Sequence, residues 1–322
     1  MTDERSQPES ELADTDPADA SAPDLATDVH FPPVVNGLDY LTSVVEHLAR
    51  GSWMEPRDVK YAVVHLQAAV ECLLKYRLEL EHWSLVFSSP GDAVRSRLDD
   101  GSLNTCTVDQ TISRLINIAG VTISPKESTS LKNLARLRNQ LQHYGRPHSP
   151  MVNRYTIEAN AAEVLEFLIH FLDEELLGRL PEEELATAAE TLEPIRAGLG
   201  EIRGFVVARW HRIAHKVAPR RHHTIQCPHC TQFALVVENN ATRCLFCDNP
   251  GNPEYYAAEV LGRNWQSAAQ GGPDPVEWCL ICEDQALVRG ATLADDSDFL
   301  VDLCFSCGEI RRAPAVVALL GK

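Results

Sequence analysis

Three hundred and twenty-two residues leave room for two or three domains, and a 44% apolar fraction is enough for real cores. The 46 acids outweigh the 29 bases to give a formal charge of -17, which argues against a protein that coats duplex DNA with its whole surface. No apolar run reaches the roughly eighteen residues that cross a bilayer, and the acidic start lacks a signal-peptide core, so a soluble cytoplasmic chain without membrane contact is expected.

Residues 1–30 hold nine acids and one Arg among Pro, Ser and Ala. Such a segment buries too little apolar surface to offset its ordering entropy, so a disordered acidic tail is expected. From about residue 36 the pattern turns helical. Residues 37–50 form a short amphipathic helix. Residues 56–87 form a long one, opened by Pro56 and striped by Val63, Leu66, Val70, Leu73 and Leu74. Cys72 lies in this run and reads as a small buried hydrophobe. A third helix covers 107–120, with Thr107 as its cap. A fourth covers 124–145, capped by Ser124 or Ser128 and stopped by Gly145 and Pro147. A fifth spans 155–178 with Leu165, Leu168, Ile169 and Leu172 inward. The last begins near Pro181 and runs to about 217, broken at its glycines. No strand pattern interrupts, so 36–201 reads as an all-α bundle.

The charge then reverses. No acid lies between Ile202 and Val237, and residues 202–224 read as a basic helical connector. Arg209, Arg212, Lys216, Arg220 and Arg221 in this stretch are candidate nucleic-acid contacts, against the plainer reading of a solvated helix face and linker.

Eight of the ten cysteines fall in four Cys-x2-Cys pairs: Cys227/Cys230, Cys244/Cys247, Cys279/Cys282 and Cys304/Cys307. Thirteen residues separate the first two pairs and 21 separate the last two. Between the members of each couple the chain reads as strand, polar turn, strand, which carries the second pair back to the first. Four thiolates then surround one ion, as in a zinc ribbon, and the repeated plan marks an internal duplication. Two structural Zn2+ ions are expected, in ribbons at 225–250 and 276–312, with a linker carrying a short helix at 251–275. Disulfides fit a cytosolic chain poorly. A redox Cys-x2-Cys would sit in a βαβ setting. Iron–sulfur clusters use the same ligands, although paired hairpins suit single ions better. His229, inside the first knuckle, reads as a solvent-exposed histidine.

The fourth helix carries Arg138, Asn139 and His143. On a helical wheel Leu131, Leu134, Leu137 and Leu141 form one stripe, Asn139 and His143 share the opposite face, and Arg138 borders the stripe. A polar face that the core does not need is free to meet a substrate or a second subunit. The plainer reading is an ordinary salt bridge and a helix cap. Arg77 and His82 repeat the bare Arg-x4-His spacing and are expected to be structural.

With this Arg-Asn-x3-His motif and the long helix 62–78 before it, residues 36–180 resemble the HEPN domains (higher eukaryotes and prokaryotes nucleotide-binding). The resemblance implies an all-helical homodimer that cleaves RNA without a catalytic metal, in defence or stress, with Arg138, Asn139 and His143 as catalytic residues and two motifs meeting across a two-fold axis. It also implies an antitoxin or nucleotidyltransferase partner. The expected architecture is therefore mainly α: an N-terminal HEPN-like helical bundle followed by two small β zinc-ribbon units. The alternative is a non-catalytic adaptor in which the bundle dimerises and the ribbons bind nucleic acid or protein.

Overall fold

Capping side chains mark where several of the helices begin. In the computed structural model, residues 31–148, 151–239 and 241–312 are described, so the tail expected over 1–30 lies outside them. The first helix, α1, spans Pro33–Leu48. Helix α2 (Pro56–Glu81) starts at a box in which Glu55 and Asp58 each accept the other's backbone N–H. A short α3 (Arg95–Asp99) precedes α4 (Val108–Asn117), which Thr107 and Gln110 cap in the same way. Helix α5 (Pro125–Tyr144) opens on Ser124 and Glu127 and closes on Gly145 at φ 69°, a left-handed turn that glycine adopts without strain. Asn153 caps α6 (Arg154–Phe171). Helices α7 (Glu182–Leu199) and α8 (Arg203–Val217) follow.

Helix α2 is the hub, packed against α1, α4, α5 and α6. Its apolar stripe is fully buried, as are Leu165, Leu168, Ile169 and Leu172 of the α6 region. Gly37 lets α1 approach closely, because a Cβ there would stand 2.5 Å from Leu73.

Two helices are shorter than their patterns suggest. α2 ends at Glu81, where His82 turns extended and its ring accepts the Ser84 N–H. The helix expected over 155–178 gives way after Phe171 to a π-helical turn, Leu172–Leu176. From that turn Asp173 reaches Arg196 and Glu175 reaches Arg77, so buried charge pairing overrides the regular repeat.

The chain then forms a three-stranded antiparallel sheet, β1 (Thr224–Gln226), β2 (Phe233–Val236) and β3 (Arg243–Cys244). Helices α9 (Pro253–Leu261) and α10 (Trp265–Ala268) lead to a four-stranded sheet. Its strands are β4 (Glu277–Trp278), β5 (Gln285–Thr292), β6 (Leu300–Cys304) and β7 (Ile310–Arg312). The outer strands β1, β4 and β7 extend the simple hairpins expected from the cysteine spacing.

The connectors expected on either side of the first ribbon are packed elements. Helix α8 lies on α6, with Gly204 facing Ala162. Tyr256 of α9 is buried against Phe305, ring centroids 5.5 Å apart. One continuous cluster of buried side chains therefore runs from α1 through α8 into both ribbons.

Candidate functional site

The four Cys-x2-Cys pairs fold into copies of one knuckle. In each, the first cysteine's N–H donates to the carbonyl five residues on: Gln232, Asn249, Asp284 and Glu309, at 2.8–3.0 Å. Its carbonyl accepts from the N–H four residues on, at Thr231, Asp248, Glu283 and Gly308. Those same four residues have positive φ, 60°, 65°, 56° and 75°. The turn aims two thiols at one point.

Antiparallel pairing brings two knuckles together in each ribbon. Cys227 and Cys247 have sulfurs 3.7 Å apart, as do Cys230 and Cys244. In the second ribbon Cys279 and Cys307 are 3.8 Å apart, and Cys282 and Cys304 3.7 Å. All four sulfurs of each group lie within 4.8 Å of one another. These are not disulfides, which need about 2.0 Å. A tetrahedron whose centre is about 2.3 Å from each sulfur has edges of about 3.8 Å. The eight cysteines thus form two four-thiol groups that can each hold a metal ion. As free thiols they could not ionise together: hydrogen bonds from Cys230, Cys244 and Cys247 pull Cys227 far down, while hydrogen bonding to Cys227, Cys230 and Cys247 pushes Cys244 up. A central cation removes that conflict by favouring all four thiolates. His229 is half-buried, its ring 4.5 Å from Tyr255, and is no member of either group. Cys72 is half-buried and its thiol donates to the Pro33 carbonyl at 3.1 Å.

On α5, Arg138 is paired and His143 is exposed. Arg138 Nη2 donates to Glu71 Oε1 at 3.0 Å, and Nη1 donates to Asn139 Oδ1 at 3.0 Å. Glu71 is held in turn by Gln67 (3.1 Å) and Lys75 (3.0 Å). Burial works to raise the Glu71 carboxyl, but those hydrogen bonds and the charges of Lys75 and Arg138 outweigh it and hold it low. Asn139 and His143 are exposed, and the His143 ring stands edge-on to Tyr144 with centroids 6.5 Å apart. The other Arg-x4-His pair differs: Arg77 is buried and bound to Glu81 and Glu175, and His82 closes α2.

Part of the basic stretch is taken up by the fold, Arg209 above all. Arg209 is 6% exposed; it donates to the Phe246 carbonyl at 3.0 Å and to Glu166. Arg212 bridges Glu166 and Glu127. Burial works to raise Glu127, and the hydrogen bonds from Arg212 and Ser124 overcome it to hold it low. Arg220 pairs with Glu238 at 2.9 Å, and Arg221 donates to the Ala294 carbonyl while staying exposed. Lys216 alone of the five is an exposed side chain with neither kind of contact among those described.

Two features carried no sequence signal. A groove of about 1620 Å³ runs along α6, floored by Val164, Phe167 and Phe171 and bounded by α8 and the start of α5; it does not include Arg138, Asn139 or His143. Between α1 and α2, Ser43 Oγ lies 2.8 Å from His65 Nδ1, and His47 Nδ1 lies 3.0 Å from Asp58. The acid serves a different histidine from the serine, so no relay results. Both features join side chains distant in sequence, which spacing alone does not reveal.

The chain matches no protein-family model, and neither curated proteins nor solved structures show significant similarity to it. Among the described residues no helix is long and apolar enough to cross a membrane.

Proposed function

We propose that this protein is a HEPN-type RNA endonuclease whose active face is Arg138, Asn139 and His143, completed by a second copy across a two-fold axis. The observation that carries the reading is the state of that face: His143 and Asn139 stand one turn apart and exposed, while Glu71 holds the Arg138 guanidinium beside them. RNA cleavage by its own 2′-OH forms a bond from that oxygen to the adjacent phosphorus and breaks the bond to the 5′-oxygen, leaving a cyclic phosphate. Imidazole moves protons near neutral pH, so His143 protonates the departing 5′-oxygen, while the proton of the attacking 2′-OH passes to solvent water. Arg138 offers a fixed fork of donors to the charge building on the phosphorane. Asn139 orients Arg138 through their shared hydrogen bond. No step calls on a metal.

The two four-cysteine groups are assigned to zinc, in a structural role. Four thiolates fill a tetrahedral shell and leave no open position for water. Elemental analysis should return two zinc ions per chain, and fewer would mean that one ribbon is not a zinc site.

The deciding experiment incubates purified protein with structured RNA, without added metal and with EDTA, while elemental analysis confirms that structural metal is retained. His143→Ala should lower the cleavage rate by about 100-fold or more, and His82→Ala should not change it. Cleavage untouched by His143→Ala rejects the assignment. A second reading, a binding adaptor, draws on the open surface around His143 and on the groove lying elsewhere. RNA binding without cleavage in the wild-type chain would favour it.

A further inference from the structure

The four knuckles share a geometry but not their surroundings. In the first ribbon, the second knuckle sets Phe246 against Phe205 and Trp210 of α8, and the first sets His229 against Tyr255 of α9. In the second ribbon, the second knuckle sets Phe305 against Tyr256. Among the described residues, the remaining knuckle, Cys279 to Cys282, is bare and apolar. Leu280 is 78% exposed, Ile281 61% and the neighbouring Trp278 63%.

The internal duplication shows what belongs there. Strand β4 of the second ribbon corresponds to β1 of the first, since each precedes its first knuckle and forms the outer strand of its sheet. The outer edge of β1 is occupied by an extended segment of the same chain: Ile225 pairs with Leu293, and the Ala294 N–H donates to the Thr224 carbonyl at 2.8 Å. That segment exists because the second hairpin is longer, 21 residues between cysteine pairs against 13. Among the described residues, β4 pairs only with β5.

The geometry points to a docking surface: the β4 edge and the Leu280–Ile281 knuckle take an extended segment of a partner protein, aliphatic at alternate positions and flanked by Lys or Arg. Three lines select this occupant. The equivalent edge is filled by a strand, so backbone pairing with side chains in alternate pockets is the mode at hand. The exposed apolar surface is on the order of 400 Å², about half of what each partner of a stable globular pair buries, and suits a peptide segment better than a second copy. Glu283 and Asp284 are exposed at the border of the knuckle and complement basic flanks.

The test pans the full, metal-loaded chain against a displayed library of random twelve-residue peptides, with the double variant Leu280→Asp, Ile281→Asp as counter-target. Enriched peptides should share alternating aliphatic residues with basic ends. Synthetic copies should change tryptophan fluorescence in the parent chain but not in Trp278→Phe. They should bind the double variant at least tenfold more weakly, and bind Pro228→Asp, altered at the matching place in the first ribbon, as they bind the parent. Metal content and thermal midpoint establish that each variant is folded. No enrichment, or enrichment that the double variant retains, overturns the proposal. Binding seen only after residues 313–322 are removed overturns it in favour of the chain's own C-terminal segment. A dimer dissolved by Leu280→Asp overturns it in favour of a second copy.

Discussion

Two arginines three positions apart on α8 illustrate how burial changes the meaning of a charge. Arg209 and Arg212 converge on Glu166, which is itself buried, and Arg209 also satisfies two carbonyls of the second knuckle. Removing Arg209 strips a partner from a buried carboxylate, and Arg212 compensates only in part. Arg209→Met should therefore cost about 3 kcal/mol in urea unfolding, whereas Lys216→Ala, on the surface, should stay within about 0.5 kcal/mol. Asp173 gives a pH signature. Burial pushes its carboxyl up from 3.8 to about 6, against the pull of Arg196. The folded chain thus binds this proton more tightly than the unfolded chain. The resulting stabilisation is present in full below about pH 4 and is lost as pH rises through 6. Asp173→Asn lacks that loss, so its stability relative to wild type should improve between pH 4 and pH 7, by at most about 3 kcal/mol. A difference in melting midpoint that is constant across that range would contradict the assignment.

The unit of construction at the next scale is the knuckle. Its fifth residue must adopt positive φ, and Thr231 does so although branching at Cβ makes this unfavourable. Gly308 occupies the same place in the last knuckle. Thr231→Gly should relieve the strain and raise stability by about 0.5–1 kcal/mol, with slower metal loss to a competing chelator. Phe246 shows how a knuckle also serves as a core residue. Its ring meets Phe205 edge-on at 5.8 Å and is almost wholly buried. Phe246→Ala should cost about 3–5 kcal/mol while leaving both four-cysteine groups able to bind metal. A stability change without change in zinc content would separate packing from ligation.

Continuity of the core governs the behaviour of the molecule as a whole. From Pro32 on, the described residues form one compact unit, with the first ribbon seated on α7 and α8. Cys230 offers its carbonyl where a Cβ on Gly200 would stand 3.1 Å away, and Arg196 joins Asp173 to Asp248 just past Cys247. A metal ion held by the first ribbon would therefore be coupled to the helices. Stripping metal with a strong chelator should lower the melting temperature read from the helical circular dichroism signal, and the metal-loaded chain should melt in one transition. A helical transition indifferent to metal would mean that the ribbons hang free.

Much of this was legible in the chain itself. Helix starts followed from Thr107, Ser124 and Pro56, because a start signal is written within four residues of the helix it opens. The grouping of the eight cysteines followed from spacing, because a Cys-x2-Cys turn is closed by its own backbone. The exposed face of Asn139 and His143 followed from helical periodicity. Tertiary structure alone decided that Arg138 is held by Glu71, 67 residues away in sequence. It likewise decided that α8 packs inward through Phe205, Arg209 and Ile213 and that, among the described residues, three knuckles are covered while the fourth is bare. Those outcomes depend on which distant side chain meets each charge or ring. A periodic pattern specifies which face turns inward, but it does not specify what waits there.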